Sequence, residues 1–236
     1  LQRALGDSGF YCVFASHGSE DRRVQKFYDS LDAVLTEAHE LDESGFDAYF
    51  ALATFEEANS RKVTNIKQLR SFFLDLDCGP SKGYRDQNDA VIALRSFCKK
   101  LELPKPLLVN SGRGVHAYWF LSEPVSLEEW LPVATSLKRL CAKHKLLADP
   151  AVTSDAARVL RVPGTHNYKT NPPVSVGYFG TGDLAPVNFD VFKEYLGGDM
   201  IPVPTKHIPS GSNAVMDALL GNRESVFKDI VLKTQS

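Results

Sequence analysis

The feature that most constrains the fold is one continuous apolar run that ends in two aspartates. Residues 69–77 read LRSFFLDLD, and an unbroken apolar run of this length is typical of a strand buried on both faces. In a strand, residues two apart project to the same face, so Asp75 and Asp77 point together into whatever that face meets. We therefore expect a buried central strand with a pair of carboxylates at its end.

The two carboxylates favour a divalent metal site. Charges this close repel each other unless a cation lies between them, which makes Asp75 and Asp77 candidate metal ligands. The alternative is a strand that simply reaches solvent, because a lone D-x-D pair is common there.

A second motif, SGRGVHAYWFL at residues 111–121, suits a phosphate group. Gly112 and Gly114 allow a tight turn that presents backbone N–H groups, Arg113 offers a planar fork, and His116 lies on the following strand. The alternative is an ordinary hairpin turn with a core histidine. Ser111 does not suggest a hydrolase nucleophile, because no G-x-S-x-G elbow surrounds it.

The third motif, residues 149–169, begins with Asp149 and continues through Arg158 and Arg161 to Lys169. If the two arginines share a strand, their odd spacing places them on opposite faces, so that only one enters a site. Salt bridges to the acidic N-terminal part of the chain explain either arginine equally well.

The wider pattern is α+β, without the regular alternation of a doubly wound parallel sheet. Apolar patterning predicts strands over residues 10–15, 46–55, 69–77, 107–110, 115–121, 159–162 and 174–179. It predicts helices over residues 31–45, 91–101, 126–145 and 189–195, the third opened by a Ser126/Glu129 capping box and either kinked by Pro132 or started later.

Three segments follow from composition and patterning. We expect a catalytic domain over residues 1–197, a Pro-, Gly- and Ser-rich linker over 198–213 and a helical segment over 214–236. The chain begins at Leu1, so we expect an excised fragment. It carries neither a signal-peptide pattern nor about 18 consecutive apolar residues, so we expect a cytoplasmic location and no membrane partner.

Taken in order, the three motifs resemble the archaeo-eukaryotic primase superfamily. The match, over about residues 10–195, is nearest to the primase-polymerases of phages and plasmids, and it implies an RRM-like catalytic core with mixed or antiparallel sheets flanked by helices. By this resemblance the metal and catalytic carboxylates are Asp75, Asp77 and Asp149. The nucleotide-binding residues are Ser111, Arg113, His116, Arg161 and Lys169, and we expect Arg158 to contact nucleic acid.

The implied reaction is two-metal nucleotidyl transfer. Two Mg²⁺ or Mn²⁺ ions about 3.5–4 Å apart neutralise the triphosphate, and one of them activates the primer 3′-hydroxyl. The partners are then template DNA, primer and nucleoside triphosphates, in primer synthesis or DNA extension during phage or plasmid replication. Asp155 competes with Asp149 as third ligand, and the family's distance from Lys169 favours Asp149.

The chain departs from the pattern of this superfamily in two ways, and two rival functions remain open. The chain has no plausible zinc element, and GPSKGY at residues 79–84 is not a phosphate-binding P-loop, because its Ser and Lys are reversed. Any helicase partner therefore lies outside these residues. The rivals are a metal-dependent nuclease and an inactive nucleic-acid-binding relative; the triphosphate-suited turn disfavours the first, and the three intact carboxylates disfavour the second.

Charge and aromatic residues are consistent with a nucleic-acid partner. The net charge is −2, but residues 61–170 hold 18 Lys and Arg against 10 Asp and Glu, whereas residues 1–60 hold 4 against 12. A basic segment binds phosphates through the local field rather than the total charge. Tyr118, Trp119 and Tyr168 are candidates to stack on bases, although Trp119 has the apolar neighbours of a core residue.

The four cysteines form no CxxC pair, which argues against a zinc ribbon or a redox dithiol. Cys141 and His144 lie three apart on a predicted helix and suit a metal only if two more ligands converge on them. Buried, reduced thiols are the simpler expectation.

Overall fold

Two antiparallel sheets organise the fold of this protein, in a computed structural model that describes residues 1–18, 21–180 and 184–196. The α+β class with antiparallel sheets and flanking helices is confirmed. The predicted linker over 198–213 and the helical segment over 214–236 lie outside the described residues.

The strands, in chain order, are β1 (Tyr11–His17), β2 (Arg22–Tyr28), β3 (Asp47–Ala51), β4 (Ala53–Phe55), β5 (Ile66–Asp77), β6 (Leu107–Asn110), β7 (Gly114–Val125), β8 (Val159–Arg161), β9 (His166–Asn167), β10 (Val174–Ser175) and β11 (Gly177–Tyr178). The helices are α1 (Leu31–Glu43), α2 (Gln87–Lys100), α3 (Leu127–Lys143), α4 (Pro150–Thr153) and α5 (Phe189–Tyr195), with a 3₁₀ turn at Val63–Asn65.

The larger sheet has the order β11-β6-β7-β5-β4, with the predicted buried strand β5 inside it. Aromatic packing from two helices covers one face of β5. Phe72 stacks on Trp130 of α3 with 5.6 Å between ring centroids and on Phe192 of α5 with 4.8 Å. The Trp130 indole N–H donates to the Ser71 carbonyl at 2.9 Å, so α3 is fixed to the strand by a hydrogen bond as well as by apolar contact.

The smaller sheet has the order β2-β1-β3-β8, and α1 packs against β1 and β3. The prediction of one strand over residues 46–55 is wrong, because β3 belongs to this sheet and β4 to the larger one. Leu52 separates them: it is fully buried, and its N–H donates to the Arg158 carbonyl at 3.0 Å. One apolar run therefore passes through both sheets, which periodicity alone does not show.

Other differences from prediction have local causes. The sequence gives no signal for β2, whose exposed polar residues pair only with β1. The capping box at Ser126 and Glu129 is confirmed, and α3 begins at Leu127, so a later start is wrong. Pro132 falls within the second turn of α3, where the missing N–H costs the helix one backbone hydrogen bond.

All four cysteines are buried and free, as expected. Burial raises the pKa of Cys141 to about 12, which keeps the thiol protonated. Within the described ranges, no helix is both long enough and apolar enough to span a bilayer.

Candidate active site

The end of β5 and the facing part of β7 bring an acid and a histidine side by side. Asp75 and His116 are paired across the two strands, and His116 Nε2 lies 3.9 Å from Asp75 Oδ1. Asp77 pairs with Gly114 two positions further on, at the edge of the SGRG turn. The two aspartates and the SGRG turn meet because β5 and β7 are neighbouring antiparallel strands in this register.

The third motif joins this point through the backbone. The amide of Asp149 donates to the carbonyl oxygen of Asp75, with 2.8 Å between N and O. Asp149 is also the N-cap of α4, since its Oδ1 accepts from the Ala151 amide at 2.8 Å. Asp155 instead accepts from the Ala157 amide at 3.1 Å, within its own turn.

Asp75 is the electrostatic centre of the site. Its side chain is only 19% exposed, and burial together with the carboxylates of Asp77 and Asp149 raises its pKa to about 7. Arg158 and Arg161 oppose that rise. A carboxyl group whose pKa is raised by burial and by neighbouring acids is a group that a bound cation would ionise.

The donor set fits a divalent cation in chemistry, although two of the carboxylates are turned to protein donors. Asp77 Oδ2 accepts from Lys82 Nζ at 2.8 Å, and Asp149 Oδ1 is held by its cap. Among the residues that the structure describes, no three His, Cys, Asp or Glu side chains are arranged to hold a metal ion as they stand. Carboxylate oxygens remain the ligands that Mg²⁺ favours, and Asp77 bonds to an exposed ammonium that a metal ion can displace.

The SGRG turn is built differently from the prediction that its amides face a phosphate. The Ser111 amide donates to the Gly114 carbonyl at 3.0 Å and the Gly112 amide to Asn110 Oδ1 at 2.7 Å, so both are already engaged. The exposed Arg113 side chain is then the group of this turn best placed for a phosphate. Gly112 has φ +88°, and an added Cβ would lie 2.7 Å from Asn167 Cβ.

His116 is buried beside the acids as a neutral base. It is 3% exposed, and burial, with Arg161 and Arg158 nearby, lowers its pKa to about 3. Its Nδ1 lies 3.4 Å from the hydroxyl of Tyr118. His116 is thus buried, as the core interpretation requires, and yet directed at Asp75.

The basic residues of the third motif divide into two groups. Arg161 is buried, and its Nη1 nitrogen lies 2.6 Å from Asp47 Oδ1. Its guanidinium also lies 4.9 Å from the Tyr49 ring centroid. This ion pair is the salt bridge to the N-terminal part of the chain that the sequence offered as the alternative to nucleotide binding. Arg158 precedes β8, so the alternation of side chains along a strand does not place it on the opposite face from Arg161. A terminal guanidinium nitrogen of Arg158 lies 4.0 Å from Asp149 Oδ2. Lys169 is exposed.

The aromatic candidates are mostly unavailable for stacking. Tyr118 is 3% exposed, so its predicted role on bases is wrong. Trp119 is a core residue, as its apolar neighbours indicated, and its indole N–H donates to the Pro104 carbonyl at 2.8 Å. The half-buried Tyr168 donates its hydroxyl to the Asp42 carbonyl at 2.6 Å.

Sequence reasoning missed two residues of this region. Asn167 is buried, its amide Nδ2 donates to the Ser111 carbonyl at 2.7 Å, and it fixes the SGRG turn to the third motif. Lys82 was set aside with the rejected P-loop pattern, yet it bonds to Asp77. Only the buried position of Asn167 marks it out, and a sequence pattern does not reveal that position.

Comparisons with known proteins bear on the fold. No protein-family model matches the chain. A curated replication protein of Clostridium perfringens is 29% identical over 153 residues, and the match covers 64% of this chain but only 37% of that protein. The AEP domain of the cyanophage S-2L primase-polymerase gives a TM-score of 0.60 at 17% identity, covering 80% of this chain and 89% of that one.

A second solved structure is the catalytic domain of the primase RepB′ in complex with initiator DNA. It gives a TM-score of 0.52 at 14% identity, covering 80% of this chain and 85% of that domain. Together these likenesses confirm, for the fold, the resemblance to the archaeo-eukaryotic primases.

Proposed function

We propose that this chain, folded like a primase-polymerase catalytic domain, performs metal-dependent nucleotidyl transfer on a DNA template during phage or plasmid replication. The observation that carries the proposal is the hydrogen bond from the Asp149 amide to the Asp75 carbonyl. It brings the third carboxylate to the first, beside the turn that holds Arg113. The likeness to a cyanophage primase-polymerase domain and to a replication protein supports the same function.

The reaction joins a primer to a nucleotide. The 3′-hydroxyl oxygen of the primer forms a bond to the α-phosphorus, the bond from that phosphorus to the β-phosphate oxygen breaks, and pyrophosphate leaves as the hydroxyl loses its proton. Mg²⁺ or Mn²⁺ held by Asp75, Asp77 and Asp149 would supply charge neutralisation and a more acidic hydroxyl. The chain's own contribution is to place the reacting groups and to offset the charge of the triphosphate.

Several side chains have assignable parts in that placement. Arg113 is exposed on the turn and presents a planar fork to phosphate oxygens. We assign to the neutral, buried His116, whose Nε2 lies 3.9 Å from Asp75 Oδ1, a hydrogen bond to an oxygen of the triphosphate that adds no charge. Arg158, partly exposed beside Asp149, is placed for a backbone phosphate of the nucleic acid.

The direct test is incubation of the protein with a primed template, Mn²⁺ and labelled nucleoside triphosphates. We expect extension of the primer. Degradation of the DNA would instead identify a nuclease, and a mobility shift without any chemistry would identify a binding protein.

The matched variants are Asp149→Asn and Asp155→Asn. Asparagine retains the N-cap of α4 and the backbone bond to Asp75, so Asp149→Asn removes charge with little effect on the fold. We expect Asp149→Asn to lower extension by about 100-fold or more, because loss of a direct metal ligand should cost at least as much as the roughly 10–100-fold typical of outer-shell partners. Asp155→Asn should extend as the unchanged protein does, and the reverse pattern would make Asp155 the third ligand.

A further inference from the structure

The loop between β5 and α2 carries a lysine that bonds to the proposed metal site. Lys82 Nζ lies 2.8 Å from Asp77 Oδ2, and the two side chains are 42% and 50% exposed. The loop residues GPSKGY resemble a phosphate-binding loop only in composition, so the sequence assigns Lys82 no role. The bond to Asp77 in the structure indicates a role for Lys82.

The backbone of this loop is attached to the SGRG turn. The Cys78 amide donates to the Arg113 carbonyl at 3.0 Å, the Gly79 amide to the Tyr84 carbonyl at 2.9 Å, and the Lys82 amide to the Gly79 carbonyl at 3.0 Å. Lys82 and Arg113 therefore lie on two turns that share a hydrogen bond.

The other end of the loop contacts the segment that leads to Asp149. The hydroxyl of Tyr84 accepts from the Leu147 amide at 2.8 Å, and an added Cβ on Gly83 would lie 2.8 Å from Leu147 Cβ. Ser81 has φ +64°, a conformation that non-glycine residues adopt rarely. The loop is thus held in a defined shape between the second and third motifs.

Charge at this point changes with what is bound. In the protein alone, the hydrogen bond and charge of Asp77 raise the pKa of Lys82, while the Arg113 guanidinium acts against that rise. The Lys82 ammonium bonds to a carboxylate oxygen that a metal ion would need as a ligand, so the two cations compete for Asp77. Once a divalent ion holds Asp77, Lys82 lies beside Arg113 with its partner taken, next to the turn assigned to the triphosphate.

We propose that Lys82 is a further triphosphate-binding residue, which occupies Asp77 in the metal-free protein and moves to the nucleotide's phosphates when a divalent ion takes that carboxylate. This inference rests on the proposed function. It gives Lys82 opposite effects on the two ligands: it competes with the metal and assists the triphosphate.

The test compares Lys82→Gln with the unchanged protein by calorimetry, in two titrations. With Mn²⁺ alone, Lys82→Gln should bind about two- to fivefold more tightly, because an exposed competing ion pair has been removed. With inorganic triphosphate added at saturating Mn²⁺, the same variant should bind about tenfold more weakly, because a charge-assisted hydrogen bond is lost. Lys82→Arg should retain most of the triphosphate affinity.

The matched control is Lys67→Gln, which removes a half-buried lysine at the opposite end of β5 whose ammonium lies 3.3 Å from a carboxylate oxygen of Glu56. It should alter neither titration. If Lys82→Gln leaves the triphosphate affinity unchanged, or moves both affinities in the same direction, the inference is wrong while the proposed function stands. If the unchanged protein binds no Mn²⁺, the proposed function is wrong and the inference fails with it.

Discussion

The Asp149 amide and the Asp75 carbonyl are joined by a 2.8 Å hydrogen bond between two main chains. Neither carboxylate is needed to make this bond, so substitutions of either side chain leave the two chain segments together. Losses of metal binding or activity in such variants therefore report on the carboxylates themselves.

The stability of the metal-free protein should depend on the ionisation of Asp75. Because its pKa is raised from 3.8 to about 7, the folded state binds its proton more tightly than the unfolded state does. The contribution of Asp75 to the free energy of unfolding is fully present below the unfolded-state pKa. It is lost as the pH rises from about 4 to about 7.

Asp75→Asn should therefore stabilise the metal-free protein by up to about 4 kcal/mol at about pH 8, because the shift is roughly three pKa units at about 1.36 kcal/mol each, with little change at about pH 4. Denaturant unfolding at the two pH values, with chelator present, measures this. Added Mn²⁺ should stabilise the unchanged protein and not the variant. An Asp75→Asn effect that is the same at both pH values would contradict the assigned pKa.

The Arg161–Asp47 pair should be structural. Both side chains are almost fully buried, and Asp47 also accepts from the Tyr168 amide at 2.8 Å. Asp47→Ala leaves a buried guanidinium without its partner, so we expect a loss of about 3–5 kcal/mol in the free energy of unfolding.

The control for that loss is Glu56→Ala, which breaks the exposed pair with Lys67 and should cost at most about 1 kcal/mol. Combining Asp47→Ala with Arg161→Met should recover part of the loss, because no charge then remains buried alone. Equal costs for Asp47→Ala and Glu56→Ala would show that the buried pair contributes no more than a surface pair.

Gly112→Ala should weaken nucleotide binding by distorting the SGRG turn. The substitution forces alanine into φ +88° and brings its Cβ to 2.7 Å from Asn167 Cβ. We expect a stability loss of about 1–3 kcal/mol together with weaker triphosphate binding. Adding Asn167→Gly removes the clash but also removes the Asn167 Nδ2 bond to the Ser111 carbonyl and leaves the backbone strain, so recovery should be small. Full recovery would contradict both the strain at Gly112 and the role of Asn167 in holding the turn.

The Tyr118 hydroxyl should fix the tautomer of His116. A buried phenol that donates to Nδ1 leaves the ring proton on Nε2, the nitrogen facing Asp75. We expect nitrogen NMR to show the Nε2–H tautomer, and Tyr118→Phe to increase the Nδ1–H form while weakening triphosphate binding more than primer–template binding. A Nδ1–H tautomer in the unchanged protein would contradict this.

The His116→Ala variant separates the two interpretations of the histidine. Loss of triphosphate affinity with a small change in melting temperature supports a binding role. A stability loss of about 1–3 kcal/mol with nucleotide affinity intact supports a core role.

The sequence alone determined the buried strand that carries Asp75 and Asp77 and the start of α3. The apolar run before Asp75 specifies a buried strand because no solvated face can accommodate it. Period-two alternation then places Asp75 and Asp77 on one face. The capping box at Ser126 and Glu129 fixes the start of α3 through contacts within one turn, so it too is readable locally.

Only the tertiary structure decided which of these groups meet and which are already engaged. The approach of Asp149 to Asp75, the pairing of Arg161 with Asp47 and the bond from Lys82 to Asp77 join residues from different elements. Contacts of this kind depend on strand order and register, which distant parts of the chain set together. Local propensity carries no information about them, which is why the sequence by itself left two roles open for Arg161 and suggested none for Lys82.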